Sequence, residues 1–259
     1  MQTVLFHETI FGPIHSRRLG SSLGVNLMPN DGKICSFDCI YCEAGYNAQG
    51  AGTTGLPARD EVARLLEKKL LSLIENGTPL DVITFSGNGE PTLHPDFAGV
   101  VDDTIALRDR YFPNVKISVL TNSTRIADHA VAAALRKVDN NILKLDSAFE
   151  ETAHLLDRPN PGYSVGKTIE GLAEFGTQGI IQTMFTRGEH NGKTSDNTTD
   201  AEVDALIDAY RRISPREIMI YTIDRPTPET TLCRIPRPEL DAIADRIRRA
   251  TGIEVQVSG

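Results

Sequence analysis

Between residues 58 and 75, Val62, Leu65, Leu66, Leu70, Leu73 and Ile74 fall on one stripe at helical spacing, and Asn76-Gly77 stops the run. Residues 82–85, by contrast, form a short apolar run of the kind that buries both faces of a strand. The two patterns then alternate. Strands are predicted over 23–27, 82–85, 115–120, 142–145, 180–185 and 217–223, with a last one over 253–257. Helices are predicted over 58–75, 96–110, 127–138, 165–175, 201–213 and 238–250, while 187–199 reads as a polar loop. Six strand–helix units and an extra C-terminal strand imply an α/β fold with a parallel sheet covered by helices. Six units are too few for a closed eight-fold barrel, so an open partial (β/α)6 barrel is the expected architecture, with a flat doubly wound sheet as the alternative. The chain reads as a single domain over 1–259, with 1–22 as an N-terminal extension packing on the barrel.

Charge and targeting signals narrow the class. The 259 residues carry a formal net charge of −8, the opposite of the basic balance usual in nucleic-acid binders. Arg246, Arg248 and Arg249 on the last helix read as a solvated face. Neither a signal peptide nor an apolar run near membrane-span length is present, so a cytoplasmic setting without membrane contact is expected. Three of the four cysteines fall within eight residues, which suggests metal or redox chemistry and not a disulfide scaffold.

Those three are Cys35, Cys39 and Cys42, spaced C-x3-C-x2-C just after the first strand. A 4Fe–4S cluster normally takes four cysteine thiolates, so three leave one iron open, as a catalytic centre requires. Zinc would need a fourth ligand, for which distant His15 is the candidate. An electron-transfer cluster would need a fourth cysteine, and only Cys233 remains.

The loop Cys35-Ser36-Phe37-Asp38-Cys39-Ile40-Tyr41-Cys42 resembles the signature of the radical S-adenosylmethionine superfamily. The resemblance implies a 4Fe–4S cluster on Cys35, Cys39 and Cys42, and S-adenosylmethionine (SAM) chelating the open iron. It implies reductive cleavage of SAM to a 5′-deoxyadenosyl radical that abstracts hydrogen from a substrate, and Tyr41 beside the adenine. A reducing partner such as flavodoxin or ferredoxin would supply the electron. The turn Gly87-Asn88-Gly89-Glu90-Pro91 after the second strand is similar to the family's Gly-Gly-Glu-Pro turn, interrupted here by Asn88. By that likeness, Gly87, Asn88, Gly89 and Glu90 would receive the methionine amino group. Asn122 and Ser123 would meet its carboxylate or the ribose. Tyr221 and Ile223 would lie by the adenine, or be plain core residues.

On the fourth strand Lys144 and Asp146 alternate and so share a face. Lys144 would either meet the methionine carboxylate or pair within a structural arrangement that includes Glu90. Gln182 and Thr183 are weaker candidates for the same site. All these positions fall at the predicted C-terminal strand ends, where parallel α/β folds place their chemistry.

Two longer stretches, residues 11–27 and 220–226, resemble the group of this superfamily related to the wyosine tRNA-base synthases. They leave the substrate open: an unidentified small molecule is preferred, then a tRNA base, then a partner protein to be activated, then a non-catalytic electron carrier. Arg17 and Arg18 are candidates either for an anion or for ion pairs that lock the N-terminal segment. Asp224 and Arg225 read as a local salt bridge, Cys233 as a buried inert thiol or a hydrogen donor, His94 as part of a turn, and His190 as part of a lid or a solvated loop.

Overall fold

The computed structural model describes residues 4–259. Its ten strands form one curled sheet. β1 (Ile10–Ser16) and β2 (Gly20–Val25) make an antiparallel hairpin. From there the sheet is parallel: β2 pairs with β3 (Val82–Phe85), then β4 (Lys116–Thr121), β5 (Asn140–Lys144) and β6 (Gly179–His190). β7 (Lys193–Asp196) folds back on β6, and β8 (Glu217–Thr222) continues the parallel order. The two-residue β9 (Cys233–Arg234) also pairs with β6, and β10 (Glu254–Ser258) closes the order beside β8. Helices α1 (Arg59–Glu75), α2 (Phe97–Tyr111), α3 (His129–Leu135), α4 (Glu150–Asp157), α5 (Val165–Ala173), α6 (Asp200–Ile213) and α7 (Arg237–Thr251) lie between the strands in sequence. This is the expected half-barrel; among the described residues no helix is long and apolar enough to cross a membrane.

Strand alternation divides the side chains into two sets. One set, including Leu23, Ile83, Ile117, Leu143, Ile181 and Ile218, is buried in the main core with Leu66 of α1, Leu172 of α5, Leu206 of α6 and Ile247 of α7. The other faces the hollow of the half-barrel. Low in that hollow, Ile142, Ile180 and Met219 form an apolar layer, against which Leu19 of the β1–β2 turn packs. One residue step of two higher on each strand stand Lys144, Gln182 and Tyr221, all facing the same cavity.

Three details differ from the sequence reading. Residues 10–16 do not lie over the barrel as an extension; they join the sheet as its antiparallel edge strand. Polar residues 187–190 and 193–196 form a hairpin, where a loop was expected. A further helix, α4, occupies 150–157, which carried no prediction.

Candidate active site at the strand ends

The cysteine loop leaves β2 and crosses the C-terminal end of the sheet, held by backbone bonds at both ends. Ile34 bridges Gly89 in parallel: its N–H donates to Asn88 O at 3.1 Å, and Glu90 N–H donates to Ile34 O at 3.1 Å. This contact requires glycine. Gly89 sits at φ +141°, and a Cβ there would stand 1.8 Å from Ile34 O. Farther along, Asp38 and Ile40 N–H donate to the carbonyls of Asp157 and Leu156 at the end of α4, both at 2.9 Å. Asn47 Nδ2 donates to the carbonyls of Cys35 and Phe37, fixing the bend between the first two cysteines.

A cavity of about 330 Å³ opens on this loop, and Cys35, Cys39 and Cys42 line it together. Asn122 Nδ2 lies 3.6 Å from the Cys35 sulfur and bonds Ser36 Oγ at 2.8 Å. Burial pushes the Cys35 thiol up to about 12 and the Cys39 thiol well above its ordinary value. Lys33, buried beneath the loop, donates to Gly45 O at 2.7 Å; burial opposes its charge, but the facing cysteines and Asp38 hold its pKa up.

Glu90 also lines the cavity, and its carboxylate ties the turn after β3 to the end of β4. Oε1 accepts from Thr92 N, Thr92 Oγ1 and Thr121 Oγ1, and Oε2 accepts from Asn122 N at 2.7 Å. Burial raises its pKa, against the pull of these bonds.

Lys144 does not pair with Glu90. Its ammonium lies 2.6 Å from Asp146 Oδ2 and 2.9 Å from Asp157 Oδ1, and 4.5 Å from the centre of the Tyr41 ring. Tyr41 OH donates to both of these carboxylates, and Asp157 Oδ1 accepts from Cys39 Sγ at 3.5 Å. Burial works against the Lys144 charge, yet two carboxylates keep it protonated; burial, with a second carboxylate sharing that one ammonium, pushes Asp157 up. Asp157 was absent from the sequence reading. It ends a helix of eight residues in which Ala153, Leu156 and Asp157 are buried, and a carboxylate on that buried face is not a residue an apolar pattern selects.

Gly87, Asn122, Gln182 and Tyr221 line the cavity with the residues above. Asn88, Ser123 and Asp146 do not have that place. Asn88 is fully buried and its amide ties the turn to Phe6 and Pro29. Ser123 donates to Lys144 O, and Asp146 sits behind Tyr41. At the rim, Arg17 pairs with Asp224 at 3.3 Å and Arg225 with Glu43 at 2.8 Å. Thr183 turns away from the cavity to Leu145 O and Tyr210 OH. His94 accepts from Asp96 N–H within a turn, and His190 bonds Glu229 at 2.8 Å in the β6–β7 hairpin. Cys233 is exposed on β9, not buried, and His15 is exposed on β1.

Comparison with known proteins agrees with this geometry. The chain is 28% identical over 255 residues to GTPase Obg of Brachyspira hyodysenteriae, covering 96% of this chain and 35% of that one. It is 30% identical over 229 residues to a UPF0026 protein of Helicobacter pylori, covering 84% and 67%. The chain thus spans about a third of the first relative and two thirds of the second. In fold it resembles a radical SAM methyltransferase from Sphaerobacter thermophilus (TM-score 0.66, 17% identity, 92% of this chain and 65% of that one). It also resembles TYW1 with a lysine-pyruvate adduct bound (TM-score 0.61, 11% identity, 90% and 75%). Residues 30–189, from just before the cysteine loop to the end of the long strand β6, match the Radical SAM superfamily. That match spans more than half of the chain, which belongs to the Radical SAM superfamily.

Proposed function

We propose that this protein reductively cleaves SAM at a 4Fe–4S cluster held by Cys35, Cys39 and Cys42, and uses the product to abstract hydrogen from a small molecule. The observation that carries the reading is one cavity lined jointly by three cysteines of a single loop and by the Gly89–Glu90 turn. The donor set fits. The family implies SAM and an iron–sulfur cluster, and among the described residues no three His, Cys, Asp or Glu side chains converge as a single metal ion would need. Three spread thiols suit a polynuclear cluster with one open iron. When bound, cluster and SAM supply a 5′-deoxyadenosyl radical after one electron enters and the sulfonium C–S bond breaks.

The chain's own residues prepare that chemistry. Lys33 places a buried positive charge near three thiols that must give up protons to bind iron. Gly87 and Gly89 let backbone oxygens approach the methionine end, and Glu90 offers its carboxylate to the amino group. Asn122 lines the cavity beside Cys35, suited to the carboxylate or ribose. Tyr41, fixed at its hydroxyl by Asp146 and Asp157, presents its ring to the adenine. Lys144 holds Tyr41 and Cys39 in place through the two aspartates; its ammonium is already engaged.

The small cavity and the paired rim favour a small metabolite over RNA: Arg17 and Arg225 each already face a carboxylate. A flavodoxin- or ferredoxin-type donor supplies the electron, and a reducing cytoplasmic setting suits three free thiols. The test is anaerobic reconstitution with iron and sulfide, followed by dithionite and SAM. Formation of 5′-deoxyadenosine is expected, and Cys39→Ala should abolish it; wild-type protein that loads iron without cleaving SAM would overturn the reading.

A further inference from the structure

Four cations line the cavity, and three are already neutralised. Arg17 faces Asp224, Arg225 faces Glu43, and Lys144 faces Asp146 and Asp157. Arg18 differs: among the described residues no carboxylate lies within ion-pair distance of its guanidinium. The group is carried into the hollow from below by the β1–β2 turn. Its backbone oxygen accepts from Gln256 Nε2 at 3.3 Å, and the neighbouring Leu19 packs on the lowest apolar layer. The guanidinium carbon lies 4.5 Å above the Tyr221 ring. Stacking satisfies the face of an arginine and leaves its in-plane donors free. Nη1 of Arg18 is shielded from water and has no acceptor. On the next inward-facing strand position, Gln182 Oε1 is shielded as well and has no donor.

A buried donor of fixed positive charge without an acceptor is costly, as is a buried amide oxygen without a donor. Both side chains line one cavity, so a single ligand there meets both once the two groups turn out of their shielded positions. Accordingly, we propose that Arg18, stacked on Tyr221, is the substrate-anchoring residue of this enzyme, and that the substrate carries an oxyanion, carboxylate or phosphate, beside an N–H or O–H that Gln182 accepts. This deepens, and rests on, the reading of the cavity as a SAM-cleaving site. Anchored there, the bound molecule shares one cavity with the cysteine loop at the strand ends, where a C–H bond would be attacked. Arginine suits the role because its fork meets two oxygens of an oxyanion at once.

The experiment uses the anaerobically reconstituted protein with SAM bound and reads thermal unfolding at constant ionic strength. Chloride is replaced by inorganic phosphate in one arm and by malonate in the other. At several times the dissociation constant, a bound anion should raise the midpoint by about 3 °C. Phosphate alone acting identifies a phosphorylated substrate, malonate alone a carboxylate, and both together a site selective for oxyanion charge. Arg18→Gln should abolish the response and Arg17→Gln should keep it. Should Arg18→Gln fail to fold, Arg18→Lys, which keeps the charge and loses the fork, should weaken the response several-fold. The proposal is overturned if neither anion acts, or if the Arg18 variants respond as wild type does. It is also overturned if the response appears only without SAM, because Arg18 then serves the cofactor's own carboxylate. Formation of 5′-deoxyadenosine, measured after dithionite is added to the same reconstituted protein, separates the two claims: its absence with an intact anion response defeats the SAM reading and leaves the anion site standing.

Discussion

The two walls of the cavity are built on opposite principles. On the wall that carries the cysteines, each charged group is answered by protein: Glu90 by Thr92, Thr121 and Asn122, and Lys144 by Asp146 and Asp157. On the wall formed by the hairpin turn, β6 and β8, Arg18 Nη1 and Gln182 Oε1 have no partner. A self-satisfied polar network is rigid and specifies one geometry, whereas an unsatisfied one waits for a ligand. The contrast teaches which part of the site is fixed before anything binds: the half that must position a cluster, not the half that must accept a substrate.

The strongest way to break this contrast is Lys144→Met. It leaves two buried carboxylates without their cation, and breaking a buried ion pair from one side costs about 3–5 kcal/mol. Denaturant unfolding should show that loss, and iron content should fall as Tyr41 and Cys39 lose their support. Next in size is Gly89→Ala. Strain at the positive φ and collision with Ile34 O should cost about 1–3 kcal/mol and release the entry to the cysteine loop; the iron-to-protein ratio after reconstitution is the measurement. On the other wall, Gln182→Leu removes an acceptor that already lacks a donor. Its cost should stay within about 1 kcal/mol of zero, and a loss as large as that of Lys144→Met would erase the distinction between the walls.

The smallest effect concerns pH. Burial holds the Glu90 carboxyl above its ordinary value of 4.5. The native state therefore keeps this proton at pH values where the unfolded chain has lost it. The Glu90 contribution makes stability fall as pH rises above about 4.5, until the native group also ionises. Glu90→Gln should remove that part of the slope in unfolding measurements across the acid range.

Much of this was legible because it lies close along the chain. Cys35, Cys39 and Cys42 share one loop, Gly89 and Glu90 one turn, and strand alternation puts Lys144 and Asp146 on one face. What escaped was tertiary. Asp157 acts through a side chain that meets Lys144 from the helix just after β5 and Cys39 from far along the chain. Asn88, inside the expected cofactor turn, is drawn away by Phe6 and Pro29, carbonyl partners no motif announces. The hairpin of β6 and β7 has too few apolar residues to read as strand; backbone pairing, not burial, makes it. Strand β2 begins at Gly20, three residues earlier than its apolar run, because Gly20 and Ser21 pair with Ser16 and His15 of β1 in the hairpin.

Between the outer strands β1 and β10 no ladder forms among the described residues. The seam is crossed at the Arg18 carbonyl by Gln256, and near the rim by the contact of Arg17 with Asp224. Net of water, one such hydrogen bond is worth about 0.5–1.5 kcal/mol, and an exposed ion pair about 0–1 kcal/mol. Side chains alone therefore lace this seam, with Arg18 stacked on Tyr221 and Leu19 packed on the layer of Met219, so the half-barrel is closed there by packing and not by a backbone ladder.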